Sequence, residues 1–195
     1  SDEAGVAHLT DAACRTFAQE IANYCEAYDL DGVFFDDEYT HSWNHPGLTS
    51  PSTDRAARLC FETKMAMPDK MVTCYIYSRT YGFYKKIEGM EPGDFVDYAI
   101  SDYGSWDYED CYLGMERNQV APCSANFASS YARWTATQNN LQRVRNEGFG
   151  GFMVYCLTFH VADVWNREME SLRNIAQYLY DDTLVFTGEK PETTW

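Results

Sequence analysis

Asp36, Asp37 and Glu38 stand in a row at the end of an apolar run, Leu30-Asp31-Gly32-Val33-Phe34-Phe35, and Tyr39 closes the stretch. A short run of strand-forming residues after a glycine predicts a buried β-strand that ends in an acidic cluster. Side chains alternate along a strand, so Phe34, Asp36 and Glu38 share one face while Val33, Phe35 and Asp37 share the other. Two carboxylates therefore project into the same space. The residue types fit three readings: a pair of acids that moves protons, a hard-cation site of the Mg²⁺ or Ca²⁺ kind, or solvated surface. The flanking Gly-Val-Phe-Phe and Glu-Tyr favour the first.

The elements that must position this cluster follow from periodicity. Over 10–28 the apolar residues Phe17, Ile21, Tyr24, Cys25 and Tyr28 recur at helical spacing behind a Thr10 or Asp11 cap. A second helix is expected over 52–67, with Ala56, Leu59, Cys60, Thr63 and Met67 inward and Pro68 as its stop. Strands are expected at 71–77, at 95–100 and, more weakly, at 119–124. A helix over 131–146 then points Trp134, Thr137, Leu141 and Val144 inward and ends at Gly148. A strand at 151–157 and a helix at 163–180 carrying Trp165, Met169, Leu172, Ile175, Ala176 and Leu179 complete the chain. Strands starting near 32, 72, 95, 120 and 152 and alternating with helices make a parallel α/β series, which favours a (β/α)8 TIM barrel over a sandwich. In a barrel strand Asp36 and Glu38 point into the mouth, Phe34 plugs the interior below them, and Asp37 turns back toward the helices.

A chain of 195 residues suits one domain, whereas a complete eight-fold barrel takes roughly 250. The balance of 15 basic and 30 acidic residues, net −15, repels phosphate backbones and anionic lipid, so nucleic acid is not an expected partner. No apolar run is long enough to span a membrane. The 16% aromatic content suits sugar, whose apolar ring faces stack on flat side chains, and serves equally to fill a core. The seven cysteines, at 14, 25, 60, 74, 111, 123 and 156, are odd in number and contain no C-x-x-C pair; they are expected to be small buried hydrophobes rather than a zinc site or a disulfide framework. His41 and His45 lack a third ligand at regular spacing and read as loop histidines. No metal or cofactor is expected.

The stretch 30–39 resembles the catalytic strand of glycoside hydrolase family 18, whose pattern is Asp-x-x-Asp-x-Asp-x-Glu. Here the four positions are Asp31, Phe34, Asp36 and Glu38, so three match and one departs. The form Leu-Asp-Gly-Val-Phe-Phe-Asp-Asp-Glu-Tyr is most similar to the endo-β-N-acetylglucosaminidases of that family, the endoglycosidase H and F group. The resemblance implies a substrate-assisted reaction in which the 2-acetamido oxygen of the sugar attacks the anomeric carbon. Glu38 then serves as acid and base, with a pKa raised by like charge at Asp36 and by the apolar Phe34, while Asp36 orients the acetamido group. The departure at Phe34 removes a buried carboxylate, and the motif leaves open whether this tunes Asp36 or weakens it.

The same resemblance implies further contacts. Residues 95–106 are similar to the sixth strand and its loop, with Tyr103 matching an aromatic hydroxyl that contacts the acetamido group and Asp102 and Trp106 beside it. Tyr39, Tyr75, Tyr77, Asn126 and Tyr155 would line the same mouth, although Tyr75, Tyr77 and Tyr155 serve as well as core or rim aromatics. Residues 5–9 look like the end of the third barrel strand. The chain is thus expected to supply roughly the later five βα units of a single barrel domain over 1–195, completed by an N-terminal part not included here or by another chain. The expected substrate is the GlcNAc-β1,4-GlcNAc core of an N-linked, high-mannose glycan or glycoprotein. That substrate implies a secreted or cell-envelope location, with any export signal outside this stretch. The competing expectation is a glycan-binding protein on the same barrel; a metal-dependent hydrolase is the third, and would lose activity on chelation.

Overall fold

The computed structural model describes residues 5–37, 47–76, 82–106, 112–128, 132–157 and 162–187. The chain divides into two compact units, Ser1–Ile100 with Asp107–Gln119, and Ser101–Trp106 with Val120–Trp195.

In the first unit, α1 (Asp11–Ala27) leads into β1 (Gly32–Phe35), and α2 (Thr53–Ala66) leads into β2 (Met71–Ile76). β1 and β2 pair in parallel, with Gly32 opposite Met71 and Phe35 opposite Cys74. Thr10 caps α1 by accepting the Ala13 N–H at 3.2 Å, and Ser52 caps α2 by accepting the Asp54 N–H at 3.1 Å. Gly32 is required where it stands, because a Cβ there would lie 2.1 Å from the Met71 carbonyl oxygen. Leu59, Cys60 and Thr63 are buried on α2 as the helical spacing predicts, and Met67 is buried just beyond it.

The stripe on α1 differs from the expectation. Cys14, Ala18 and Cys25 are buried, whereas Phe17, Tyr24 and Tyr28 are 43%, 60% and 68% exposed. Small side chains let α2 come close, and Asp11 and Arg15 reach Arg58 and Glu62 across that flank at 3.7 and 3.6 Å. The aromatic residues lie about 80° round the helix on the other flank, where Tyr24 and Tyr28 stack with centroids 5.9 Å apart. The strand expected from 95 also changes. Pro92–Phe95 is a helical turn, α3, closed by Glu91 and Asp94 as a capping box, and β3 (Tyr98–Ser101) begins only after it. The Asp97 carboxylate accepts the Val72 N–H at 2.7 Å and pairs with Lys64 at 2.9 Å, tying α2, β2 and the approach to β3 together.

In the second unit the weak strand near 120 is two fragments, β4 (Val120–Ala121) and β5 (Ala125–Asn126), split by Pro122 and by Cys123 at φ +59°. The helix expected over 131–146 is likewise two, α4 (Ala132–Thr135) and α5 (Gln138–Asn146). Thr137 is not inward but caps α5 through its hydroxyl, and Trp134 is 64% exposed; Leu141 and Val144 are buried as expected. Gly148 at φ +77° ends α5. β6 (Val154–Tyr155) pairs in parallel with β5, and α6 (Ala162–Asn174) runs on into a π-helical turn at Ile175–Leu179. Phe152, Val154, Leu172 and Ile175 pack on Ala125 and Phe127. Both units are thus α/β with parallel strand pairing.

Cys14, Cys25, Cys60, Cys74 and Cys123 are buried and Cys156 is partly so; Cys111 lies outside the described residues. Burial pushes the Cys14 thiol up to about 11, with Asp11 and Glu62 adding to it, and burial, partly offset by Arg143, pushes Cys123 up to about 11. The Cys60 and Cys74 sulfurs touch at 3.4 Å, and burial followed by that contact holds Cys60 well above the usual thiol range.

Candidate active site

Each unit carries its own group of candidate residues. In the first, Val33 and Phe35 pack against the buried residues beneath α1 and α2, while Phe34 is 45% exposed on the opposite face. The alternation therefore runs as the sequence predicts. Asp36 follows Phe34 on the outward face and is exposed, and Asp37 follows Phe35 to line a cavity of about 30 Å³ with Val6, Cys60, Cys74 and Phe83. Phe34 is not a sealed plug; it meets Tyr75 edge-on at 6.4 Å and 74°. The β1–β2 register sets Thr73 opposite Phe34, so Thr73 and Tyr75 share the face that carries Phe34 and Asp36. The Thr73 hydroxyl donates to the Val33 carbonyl at 2.9 Å and fixes the two strands side by side. Tyr75 is buried to 8% exposure, which braces the Phe34 ring. Glu38, Tyr39 and Tyr77, with His41 and His45, lie outside the described residues.

In the second unit Asp102 and Tyr103 sit on a tight turn. The Asp102 carboxylate accepts the Tyr103 N–H at 2.7 Å, its carbonyl accepts the Ser105 N–H at 2.9 Å, and Gly104 supplies the φ of +70° that the turn needs. The Tyr103 ring lies 6.0 Å from that of Tyr155, tilted by 41°. Tyr155 is half exposed, and the chain turns away directly after it through Cys156 at φ +60°. Asn126 stands opposite Tyr155 in the β5–β6 register and closes an Asx turn by accepting the Ala128 N–H at 2.9 Å. Tyr103, Asn126 and Tyr155 are thereby brought together. Trp106 is engaged elsewhere, with the Arg143 guanidinium 3.9 Å over its ring and Phe149 at its edge.

A cavity of about 460 Å³ in the first unit lies between the starts of α1 and α2 and residues 84–88. None of the expected site residues lines it. Its walls are crossed by ion pairs, Arg58 to Glu88 at 2.7 Å and Lys85 to Asp54, and the hydrogen bond to Glu88 raises the Arg58 pKa further. Among the described residues no three His, Cys, Asp or Glu side chains gather as metal ligands, and no helix is long and apolar enough to cross a membrane. What the sequence did not point to is Ser124, which is fully buried beneath the Tyr103 turn. A serine between Cys123 and Ala125 carries no periodic signal; only Pro122, two residues earlier, hints at a break.

Over its whole length the chain is 40% identical to endo-β-N-acetylglucosaminidase F1 of Elizabethkingia meningoseptica. Named endo-β-N-acetylglucosaminidases are thus among its relatives. A second such enzyme, from a Flavobacterium species, is 25% identical over 155 residues, 79% of this chain and 48% of its own length. Among solved structures, EndoBT-3987 of Bacteroides thetaiotamicron with its Man5GlcNAc product matches 94% of the chain at 32% identity and a TM-score of 0.77. The same endoglycosidase in complex with a Man9GlcNAc2Asn substrate matches all of it at 31% identity and a TM-score of 0.77. No protein-family model matches the chain. The chain spans 57% of the length of the F1 endoglycosidase and 42% and 47% of the two solved chains.

Proposed function

We propose that residues 1–195 belong to a glycoside hydrolase that cleaves the GlcNAc-β1,4-GlcNAc core of N-linked, high-mannose glycans and leaves one GlcNAc on the protein. The observation that carries this reading is the 40% identity to the F1 endoglycosidase across the whole chain, which takes in the acidic end of β1. In the mechanism proposed, of the family 18 kind, Glu38 protonates the glycosidic oxygen while the substrate's acetamido oxygen attacks the anomeric carbon. Asp36 stabilises the charge growing on the acetamido nitrogen, and the Tyr103 hydroxyl holds the acetamido group in place. An oxazolinium ion results; Glu38 then takes a proton from water, which opens the ring with net retention. Phe34 stands where the motif has an acid, so no carboxyl at that position shares a proton with Asp36, and the Asp36 charge is proposed to meet the substrate's developing cation directly.

The exposed Asp36 above Phe34 and Tyr75, and the Tyr103–Tyr155 pair beside Asn126, supply acid and aromatic surface of the type this reaction uses. We further propose that these βα units belong to a (β/α)8 barrel whose remaining strands come from outside residues 1–195, in a secreted or cell-envelope protein.

The test is release of high-mannose glycan from a denatured glycoprotein by the protein carrying residues 1–195 and by its Glu38→Gln variant, each with and without EDTA. Activity that survives EDTA and falls at least a thousandfold in the variant is expected. Undiminished turnover by Glu38→Gln ends the proposal, and glycan binding with no turnover by the unaltered protein marks it as a lectin.

A further inference from the structure

The turn that carries Tyr103 is bracketed by two consecutive buried residues, Cys123 and Ser124. The Ser124 hydroxyl donates to the Ser101 carbonyl at 2.6 Å, and its own carbonyl accepts the Gly104 N–H at 3.0 Å. One residue earlier the Cys123 N–H donates to the Ser105 carbonyl at 2.7 Å. Tyr103 and Ser124 form a parallel bridge inside this bracket. Two residues further on, Asn126 pairs with Tyr155. The three-residue segment 124–126 therefore works as a ruler, with the Tyr103 turn fixed at one end and Tyr155 at the other.

Cys123 adopts φ +59° to present these groups, a left-handed conformation that a residue with a Cβ enters only when its surroundings hold it there. Ser101 and Ser124 are both 0% exposed, so the hydroxyl bond they share is shielded from competing water. Such strain and buried pairing concentrate where geometry is demanded of a backbone, and the two tyrosine rings, 6.0 Å apart, are what this backbone sets.

We propose that Ser124 is a positioning residue for the reaction: it fixes Tyr103 relative to Tyr155 so that the Tyr103 hydroxyl meets the substrate's acetamido group. This rests on the glycosidase reading above, and the experiment separates the two. Glycan release is followed for Ser124→Ala, Tyr103→Phe and the double variant, with amide hydrogen exchange at Gly104 measured alongside exchange in α5. Ser124→Ala is expected to lower kcat about tenfold or more with KM within about twofold, because a turn displaced by a fraction of an ångström loses orientation rather than binding. On the Tyr103→Phe background the same change should cost less than about threefold, since the group it positions is gone. The Gly104 amide should exchange at least about tenfold faster while α5 amides are unchanged. Should Ser124→Ala not fold, Ser124→Cys keeps the volume with a poor donor and is expected to show the same kcat loss.

Full, independent multiplication of the two losses, or unchanged Gly104 exchange, overturns the proposal. If Tyr103→Phe matches the unaltered protein, or the unaltered protein does not cleave glycan, the glycosidase reading of Tyr103 fails instead. Gly104 exchange then still decides whether Ser124 holds the turn.

Discussion

The parallel pair β1–β2 runs in register for four residues, whereas β5–β6 manages two, yet candidate site residues stand at both. In the first, direction comes from the strand itself: Val33 and Phe35 are packed beneath helices, so Phe34 and Asp36 must face the other way. In the second, too little ladder exists to aim anything. Side-chain hydrogen bonds from Ser124 and Asn126 and left-handed residues at 104, 123 and 156 do that work. A long ladder distributes its tolerance to substitution; a short one concentrates its vulnerability in single residues.

Gly32→Ala tests the first half of this contrast most severely. The added methyl collides with the Met71 carbonyl at the root of the ladder, and a loss of about 3 kcal/mol in urea denaturation is expected. A loss under about 1 kcal/mol would mean that β1 can move aside and that the ladder does not aim Asp36. Next comes Asp97→Ala, which strips the Val72 N–H of its carboxylate and Lys64 of its ion pair at the edge of the same ladder. About 2 kcal/mol is expected by the same measurement.

The thiols allow the two regions to be compared in one titration, since Cys14 lies in the first unit and Cys123 in the second. Both are held near 11 in the folded protein against an ordinary value of 9.0, so on raising the pH the unfolded chain gives up its proton first. Their contribution to stability is whole below about 9 and disappears as the pH climbs through 11. Thermal melts from pH 8 to 11 should therefore fall in temperature, and Cys14→Ala and Cys123→Ala should each flatten the curve; parallel curves would contradict the burial of that thiol. Thr137→Ala removes the α5 cap for about 1 kcal/mol, visible in a urea melt. Tyr24→Ser, on the exposed flank of α1, should change stability by no more than about 0.5 kcal/mol.

Much of the first unit was legible because its elements are long enough to show a period. α1, α2, β1 and β2 fall where apolar spacing puts them, and the outward face of β1 follows from alternation alone. Errors arose where size mattered more than polarity. On α1 the small Cys14 and Ala18 make the closer approach to α2, so Tyr24 and Tyr28, though at helical spacing, stay on the exposed flank. Reading 95–100 as strand from its start overlooked the capping box at Glu91 and Asp94. In the second unit fragments of two to four residues carry no period, so 119–124 and 131–146 each split in the structure. The tyrosines there could be named from a motif, but the serine that sets their spacing has no pattern of its own.

Position 32 also bears on how this surface could be reshaped. A combinatorial library built on this face has to leave that glycine invariant, because any Cβ there meets the Met71 carbonyl. Diversity belongs instead at Phe34, whose ring is 45% exposed on the face that carries Asp36, whereas Thr73 holds the two strands together and Tyr75 braces that ring.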